Sequence, residues 1–437
     1  MLTQPRISTL ILVLAAGFIL APTEYAGAEI YIDVSGQGDF PLAVSEFKQI
    51  GKKHEAGEVL TRVLRRDLQM SGWFRMMDPA AFLEDAQATG LRIGEFDFED
   101  WHTLDTAGLV KAGYEIDGKQ LSVEVRVYHV LEQEMILGDV LSGDLEDPES
   151  LGHRIADVVI EAFTGQKGPF SSRMVCVATH TGNKEIYLVD LGGRASRLTS
   201  NGQINLSPSF SPGGGKVAYT SYAAGNPDVW VHDLGAGSDT LLSNRPGINL
   251  GADWSPDGAR IALTLSHVGD SEIYTVNGSD GNDPVRLTSS WGVDVSPDWS
   301  PDGSRIAFTS SRHGNPQIFV MDRSGGRVTQ ITFGGNHNVS PAWSPDGSKI
   351  TFAGRDKGRF DIFVCNADGS NLRRLTQSPG DDEDPTWSPD GRYIAFSSDR
   401  EGGGKQLFVM TADGRNITRV SDGRGSYTNP DWAPTYP

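Results

Sequence analysis

Cysteine is nearly absent from this chain: Cys176 and Cys365 are the only two in 437 residues. That excludes a disulfide-dense secreted scaffold and a cysteine-built zinc site. Basic residues are also short, with 38 Lys and Arg against 57 Asp and Glu and a net charge of −19. Nucleic acid and anionic membrane surfaces recruit basic patches, so neither is an expected partner. Protein partners or cations fit the charge better. The nine histidines never take the His-x-x-x-His spacing of a helical metal site, and no Gly-x-Ser-x-Gly nucleophile elbow occurs. Ser35-Gly36-Gln37-Gly38 lacks the third glycine of a dinucleotide loop. Long apolar runs are missing except near the start, where Arg6 precedes Leu10 to Leu20 and Ala26-Gly27-Ala28 follows. The run is shorter than the roughly 20 residues a membrane helix needs. It reads as a cleaved export signal over 1–28, with the mature chain beginning near Glu29 outside the inner membrane and no inserted segment.

What the chain does have is a repeat. Ser209-Phe210-Ser211-Pro212, Asp253-Trp254-Ser255-Pro256-Asp257-Gly258, Asp298-Trp299-Ser300-Pro301-Asp302-Gly303, Ala342-Trp343-Ser344-Pro345-Asp346-Gly347, Thr386-Trp387-Ser388-Pro389-Asp390-Gly391 and Asp431-Trp432-Ala433-Pro434 are copies of one phrase. The aromatics recur every 44 or 45 residues. A period in the forties with strand-like content marks a β-propeller, one four-stranded blade per repeat. Proline presets φ in each turn and glycine supplies the positive φ. Strands are expected over Arg305 to Ser310, Gln317 to Asp322 and Val328 to Thr332, with equivalents in the other copies. Arg173 to Thr199 supplies strands two to four without an opening strand, and Tyr427 to Trp432 is an opening strand with nothing after it. Together they complete a sixth blade and leave no sheet edge open. The repeated Trp residues are expected to pack between blades rather than stack ligands. Cys176 and Cys365 fall in the first and fifth blades, too far apart for a disulfide. A ring closed this way needs no second copy, so a monomer is expected.

Residues 29–167 show no repeat and form a separate α/β domain; 168–437 form the propeller. Glu55 to Met70 and Pro148 to Phe163 have helical apolar spacing, each followed by glycine. Leu109 to Ile116 and Gln120 to Val130 are strands joined by Asp117-Gly118, a hairpin turn. Met135 to Ser142 adds a strand, as does a short stretch near Leu42 to Phe47. The fold class is therefore mainly β, a six-bladed propeller preceded by a small α/β domain with helices on one sheet face. His54, His102, His129 and His153 stand apart and suggest no catalytic group.

Five residues before each repeat aromatic stand Asn205, Asn249, Asp294, Asn338, Asp382 and Tyr427. At the start of an innermost strand they would ring the mouth of the central channel, an interaction surface. The same residue types also cap turns by bonding their own backbone, which is the competing reading. Loops carrying His180, His267, His313, Arg312, Arg355 and Arg400 open on that face, with His337 beside it. No cofactor is expected, although Asp294, Asp382 and Asp384 offer oxygen ligands for a calcium ion in the channel. Glu29-Ile30-Tyr31-Ile32-Asp33-Val34 alternates like a strand and precedes a glycine-containing joint. It could complete its own domain's sheet or add to a partner's.

The export signal, the α/β domain and six blades built on Trp-Ser-Pro-Asp-Gly, in this order, resemble the TolB family of the Tol–Pal envelope system. The junction Phe163-Thr164-Gly165-Gln166-Lys167-Gly168-Pro169-Phe170 is similar to the family's linker, and Pro246-Gly247-Ile248-Asn249-Leu250 is also family-like. Phe210 for Trp and Gly213-Gly214 for Asp-Gly depart from the pattern, and the last copy lacks the Asp-Gly turn. The resemblance implies a periplasmic, non-catalytic protein. It would bind the lipoprotein Pal through the propeller face (Asn205, Asn249, Asp294, Asn338, Asp382, His267, His313 and His337) and the TolA C-terminal domain through Glu29 to Val34. That role supports outer-membrane integrity and constriction at division. Two rivals stay open: an exported metal-dependent lyase using channel histidines, and a generic protein-binding scaffold.

Overall fold

The computed structural model describes residues 40–51, 54–355 and 358–434. The export signal and the Glu29 to Val34 segment lie outside them. The first domain is one sheet built from β1 (Phe40–Val44), β2 (Lys48–Gln49), β3 (Phe74–Met76), β4 (Gly108–Asp117), β5 (Gln120–His129) and β6 (Glu134–Asp144). Its order is β3-β1-β4-β5-β6, with β2 extending the edge beside β4. α1 (Ala56–Ser71) and α3 (Pro148–Thr164) pack side by side on one face. Both end on a left-handed glycine, Gly72 and Gly165, the helix stop that needs no Cβ. Leu60, Leu64 and Leu68 of α1 meet Ile155 and Val159 of α3 over Val110, Val123 and Val125. The opposite face is covered by the 77–107 segment, which carries the short helix α2 (Phe98–His102). It is pinned by a buried Lys111–Glu84 ion pair, with Trp101 Nε1 also donating to Glu84.

Residues 173–432 form six four-stranded antiparallel sheets. Blades two to six open with inner strands Asn205–Phe210, Asn249–Trp254, Asp294–Trp299, His337–Trp343 and Asp382–Trp387. Blade one is made as expected: Tyr427–Trp432 pairs with Arg173–Ala178, followed by Glu185–Asp190 and Ala195–Arg197. Each repeat Trp is buried against the preceding blade, Trp299 for example against Ala262 and Ile273. Inter-blade packing is what these rings do. Cys176 and Cys365 are free and buried.

Every inner strand also carries a kink that the repeat phrase does not announce. Ser207, Ser296, Ser340, Asp384 and Asn429 sit at φ between 48° and 54°, and Gly251 at 57°. All six stand three residues before the aromatic, where the pairing register slips. An extra residue in left-handed conformation is a β-bulge, and it sharpens strand twist. Gly251, Asp384 and Asn429 are types that tolerate positive φ, and the other three are serines.

The first domain sits on the Ser-Pro-Asp-Gly side of blades one and six. Tyr393 Oη donates to Ser71 O at 3.0 Å, Arg392 to Lys167 O at 2.6 Å and Arg66 to Leu191 O at 3.1 Å. Leu60, Ile155, Phe170, Tyr393, Leu407 and Trp432 belong to one continuous apolar core. Asp157 on α3 holds the linker by accepting from Phe170 N and Ser171 N; burial raises its carboxyl to about 6.

Candidate functional site

The start-of-strand polar residues are placed at the expected end of the propeller but not in the expected role. Asn205, Asn249, Asp294, Asp382 and Tyr427 are fully buried, and Asn338 is 4% exposed. They do not form an exposed ring: the three asparagines bond loop backbone, and the two aspartates bond serines and arginines. Asn205 Nδ2 donates to Lys184 O and to the buried Glu185 carboxylate. Asn249 Nδ2 donates to Arg245 O, while its Oδ1 accepts from Ser243 Oγ and Arg245 N. Asn338 Nδ2 donates to Gln317 Oε1 and Gly334 O. Asp294 and Asp382 accept from Arg312 and Arg400 at 2.8 and 2.9 Å. The physical reason is accounting. At blades two, three and five the connection brings polar backbone inside, and Asn205, Asn249 and Asn338 satisfy it.

The three aspartates offered as calcium ligands are each engaged elsewhere. Asp294 and Asp382 spend carboxylate oxygens on arginines in separate blades, and Asp384 accepts from Asn429 N and Ser397 Oγ. Among the described residues no three His, Cys, Asp or Glu side chains come together as a metal site. The histidines behave likewise. His180 bonds Tyr427 Oη, His267 packs on Tyr274, His313 bonds Gln330 and His337 packs on Phe360, each in its own blade. The convergence that a lyase centre requires is not formed by these four.

The channel itself is lined by the three residues before each aromatic, such as Ser296-Pro297-Asp298. Three of its carboxylates tie successive blades together. Asp253 accepts from Trp299 N, Asp298 from Trp343 N and Asp431 from Phe210 N, each at 2.7 Å. Burial raises all three, Asp253 and Asp431 to about 7; Asp298 is raised further by the Asp253 charge.

The end of the ring away from the first domain carries the second-to-third strand loops and the blade-to-blade connections. Here the residues that the repeat did not flag become prominent. Trp291, between blades three and four, is 89% exposed, and Phe333, between blades four and five, is 79% exposed. Ile204, Val268 and Val293 add to the exposed apolar surface of the same end. Large rings standing in glycine- and serine-containing loops, Ser290-Trp291-Gly292 and Thr332-Phe333-Gly334, were the available sequence signal. Exposed aromatics of this kind mark docking surfaces.

Family comparisons agree with this architecture. The TolB beta propeller domain matches residues 160–341 and 335–436, and the TolB amino-terminal domain matches 28–136. The chain belongs to the TolB family. The Tol-Pal system protein TolB of Desulfosudis oleivorans is 38% identical over 287 residues, 64% of this chain and 65% of that protein. That of Syntrophotalea carbinolica is 45% identical over 156 residues, 36% of each chain. These alignments thus span from about a third to just under two thirds of the curated relatives' length. The crystal structure of TolB from Acinetobacter baumannii superposes with a TM-score of 0.78 at 26% identity, covering 90% of this chain and 96% of that one. TolB-family membership makes the chain a Tol–Pal system protein. No helix among the described residues is long and apolar enough to cross a membrane.

Proposed function

We propose that this protein is a non-catalytic periplasmic adaptor of the Tol–Pal system. It docks the lipoprotein Pal on the open end of the propeller and the TolA C-terminal domain on the mature N-terminal segment. Through that pairing it supports outer-membrane integrity and constriction at division. The observation that carries the reading is the open end itself: the first domain sits on the other side, at blades one and six, while Trp291 and Phe333 project here in adjacent blade connections. His267, His313 and His337 border this surface, and Asn205, Asn249, Asp294, Asn338 and Asp382 act beneath it by holding its loops.

Calorimetry with the soluble domain of the cognate Pal tests the reading. Trp291→Ala with Phe333→Ala should weaken binding at least tenfold, the usual cost of losing buried aromatic anchors. The melting temperature should not move, because both side chains are exposed in the free protein. Arg323→Glu, on the opposite side, should bind as wild type. Absence of Pal binding by the parent, or equal losses from both sides, contradicts the docking assignment. Deleting residues 29–34 should abolish capture of the TolA domain and spare Pal. Unchanged TolA capture would remove that segment from the proposal.

A further inference from the structure

Blade five differs from its neighbours in a way that opens a socket on the docking end. In blade four, Phe308 and Phe319 lie 5.9 Å apart and Arg312 covers both rings, at 5.3 and 4.9 Å. Blade six repeats this with Phe396, Phe408 and Arg400, at 5.0 and 4.8 Å. Each arginine is held by an aspartate and a serine that pair across the first two strands: Asp294 with Ser310, Asp382 with Ser398. Blade five keeps the rings, Phe352 and Phe363 stacked at 5.7 Å and 11°. Its aspartate is replaced by Asn338 and its serine by Gly354. Both anchors for a covering guanidinium are gone.

In its place is a cavity of about 280 Å³ lined by Phe352, Phe363, Leu372, Gly334 and Gly354. That volume suits one ring-bearing side chain. Leu372 is 50% exposed at the rim, and Phe333 is the next residue to Gly334. The rim is basic: Arg355 and Arg374 line the cavity, and Arg359 and Arg373 are exposed nearby. Four arginines within residues 355–374 stand out in a chain of net charge −19. Arg374 is committed to Asp361 at 2.5 Å, and Arg355 lies 5.0 Å from the Phe360 ring.

We propose that this socket receives an aromatic side chain of the docked Pal, presented by an acidic segment. The inference rests on the docking assignment above. The guest ring stacks on the Phe352–Phe363 pair, neighbouring guanidiniums approach its face, and flanking carboxylates pair with Arg355. A cationic guest is disfavoured by the rim, and a small apolar guest leaves the cavity part-filled.

The full mature chain is tested in two ways. Calorimetry with the soluble Pal domain compares the parent with Leu372→Glu and Arg355→Glu, both at exposed or half-exposed positions, and each should weaken binding about tenfold. Tight binding by the parent and by both variants overturns the socket while leaving the docking assignment standing; no binding by the parent overturns the assignment itself and the socket with it. NMR titration then uses acetyl-Glu-Trp-Glu-amide, acetyl-Lys-Trp-Lys-amide and acetyl-Glu-Ala-Glu-amide. Shifts at Gly334, Gly335, Gly354 and Leu372 with the first peptide alone support the socket. Equal shifts with the lysine or the alanine peptide, or none with any, refute it.

Discussion

Deleting residues 427–437 should abolish soluble protein. Tyr427–Trp432 is the inner strand of blade one and pairs with Arg173–Ala178. Without it that six-residue strand becomes an open edge, a template for pairing with other chains. Tyr427 is fully buried and Trp432 is 4% exposed, and Trp432 Nε1 donates to the buried Ser172 at 2.6 Å. Removing one buried aromatic costs about 3–5 kcal/mol. Losing two, together with the Asp431 link to Phe210 N, rivals the roughly 5–15 kcal/mol that holds a typical domain folded. The loss would not stay local, because Trp432 shares one core with α1, α3 and blade six. Expression should yield aggregate, read by sedimentation of the lysate. Trp432→Ala is the graded version and should lower stability by about 3–5 kcal/mol in urea unfolding. A truncated chain that is monomeric and melts with the parent would refute closure by this strand.

The blades were legible because each ends its inner strand on a buried aromatic, and four of the six follow it directly with a Ser-Pro-Asp-Gly turn. Turn chemistry and strand alternation act locally, so the sequence carries them. β3, three residues long, is too short to show an alternation, and only its pairing with β1 makes it a strand. The start-of-strand Asn and Asp residues misled for a related reason. A polar residue at a strand end looks the same whether it faces solvent or turns back to satisfy a buried loop. The difference lies in the packing of the previous blade, which is a tertiary fact. Trp291 and Phe333 escaped notice because they belong to connections that do not repeat. The bulge residues are only half readable afterwards: Gly, Asp and Asn are types that accept positive φ, whereas the three serines carry no such signal.

Acidification from pH 8 to pH 5.5 should raise the melting temperature, the reverse of ordinary acid destabilisation. Asp253 and Asp431 are raised by burial to about 7, and Asp298 by burial and the neighbouring Asp253 charge. Unfolded, each would titrate near 3.9. Between about pH 4 and pH 7 the folded state therefore binds more protons than the unfolded one, so stability falls as pH rises through that window. Depressed carboxylates such as Asp302 and Asp346, at about 2, lose their contribution only at lower pH and leave this window alone. Asp157, raised to about 6, and His153, raised through its bond to Asp67, act in the same direction as the channel acids. A raised histidine contributes stability below its unfolded value and loses it as pH rises, so substitution must separate the two sources. Asp253→Asn with Asp431→Asn keeps an oxygen for Trp299 N and Phe210 N and removes the titration. That variant should melt above the parent at pH 8, and the difference should shrink as the pH falls towards about 4. Unchanged pH dependence in the double variant would assign the effect to Asp298 or to the domain joint instead. Burial is then the main cost of using carboxylates as links between blades, and the Asp253 charge adds to it at Asp298 and Asp431.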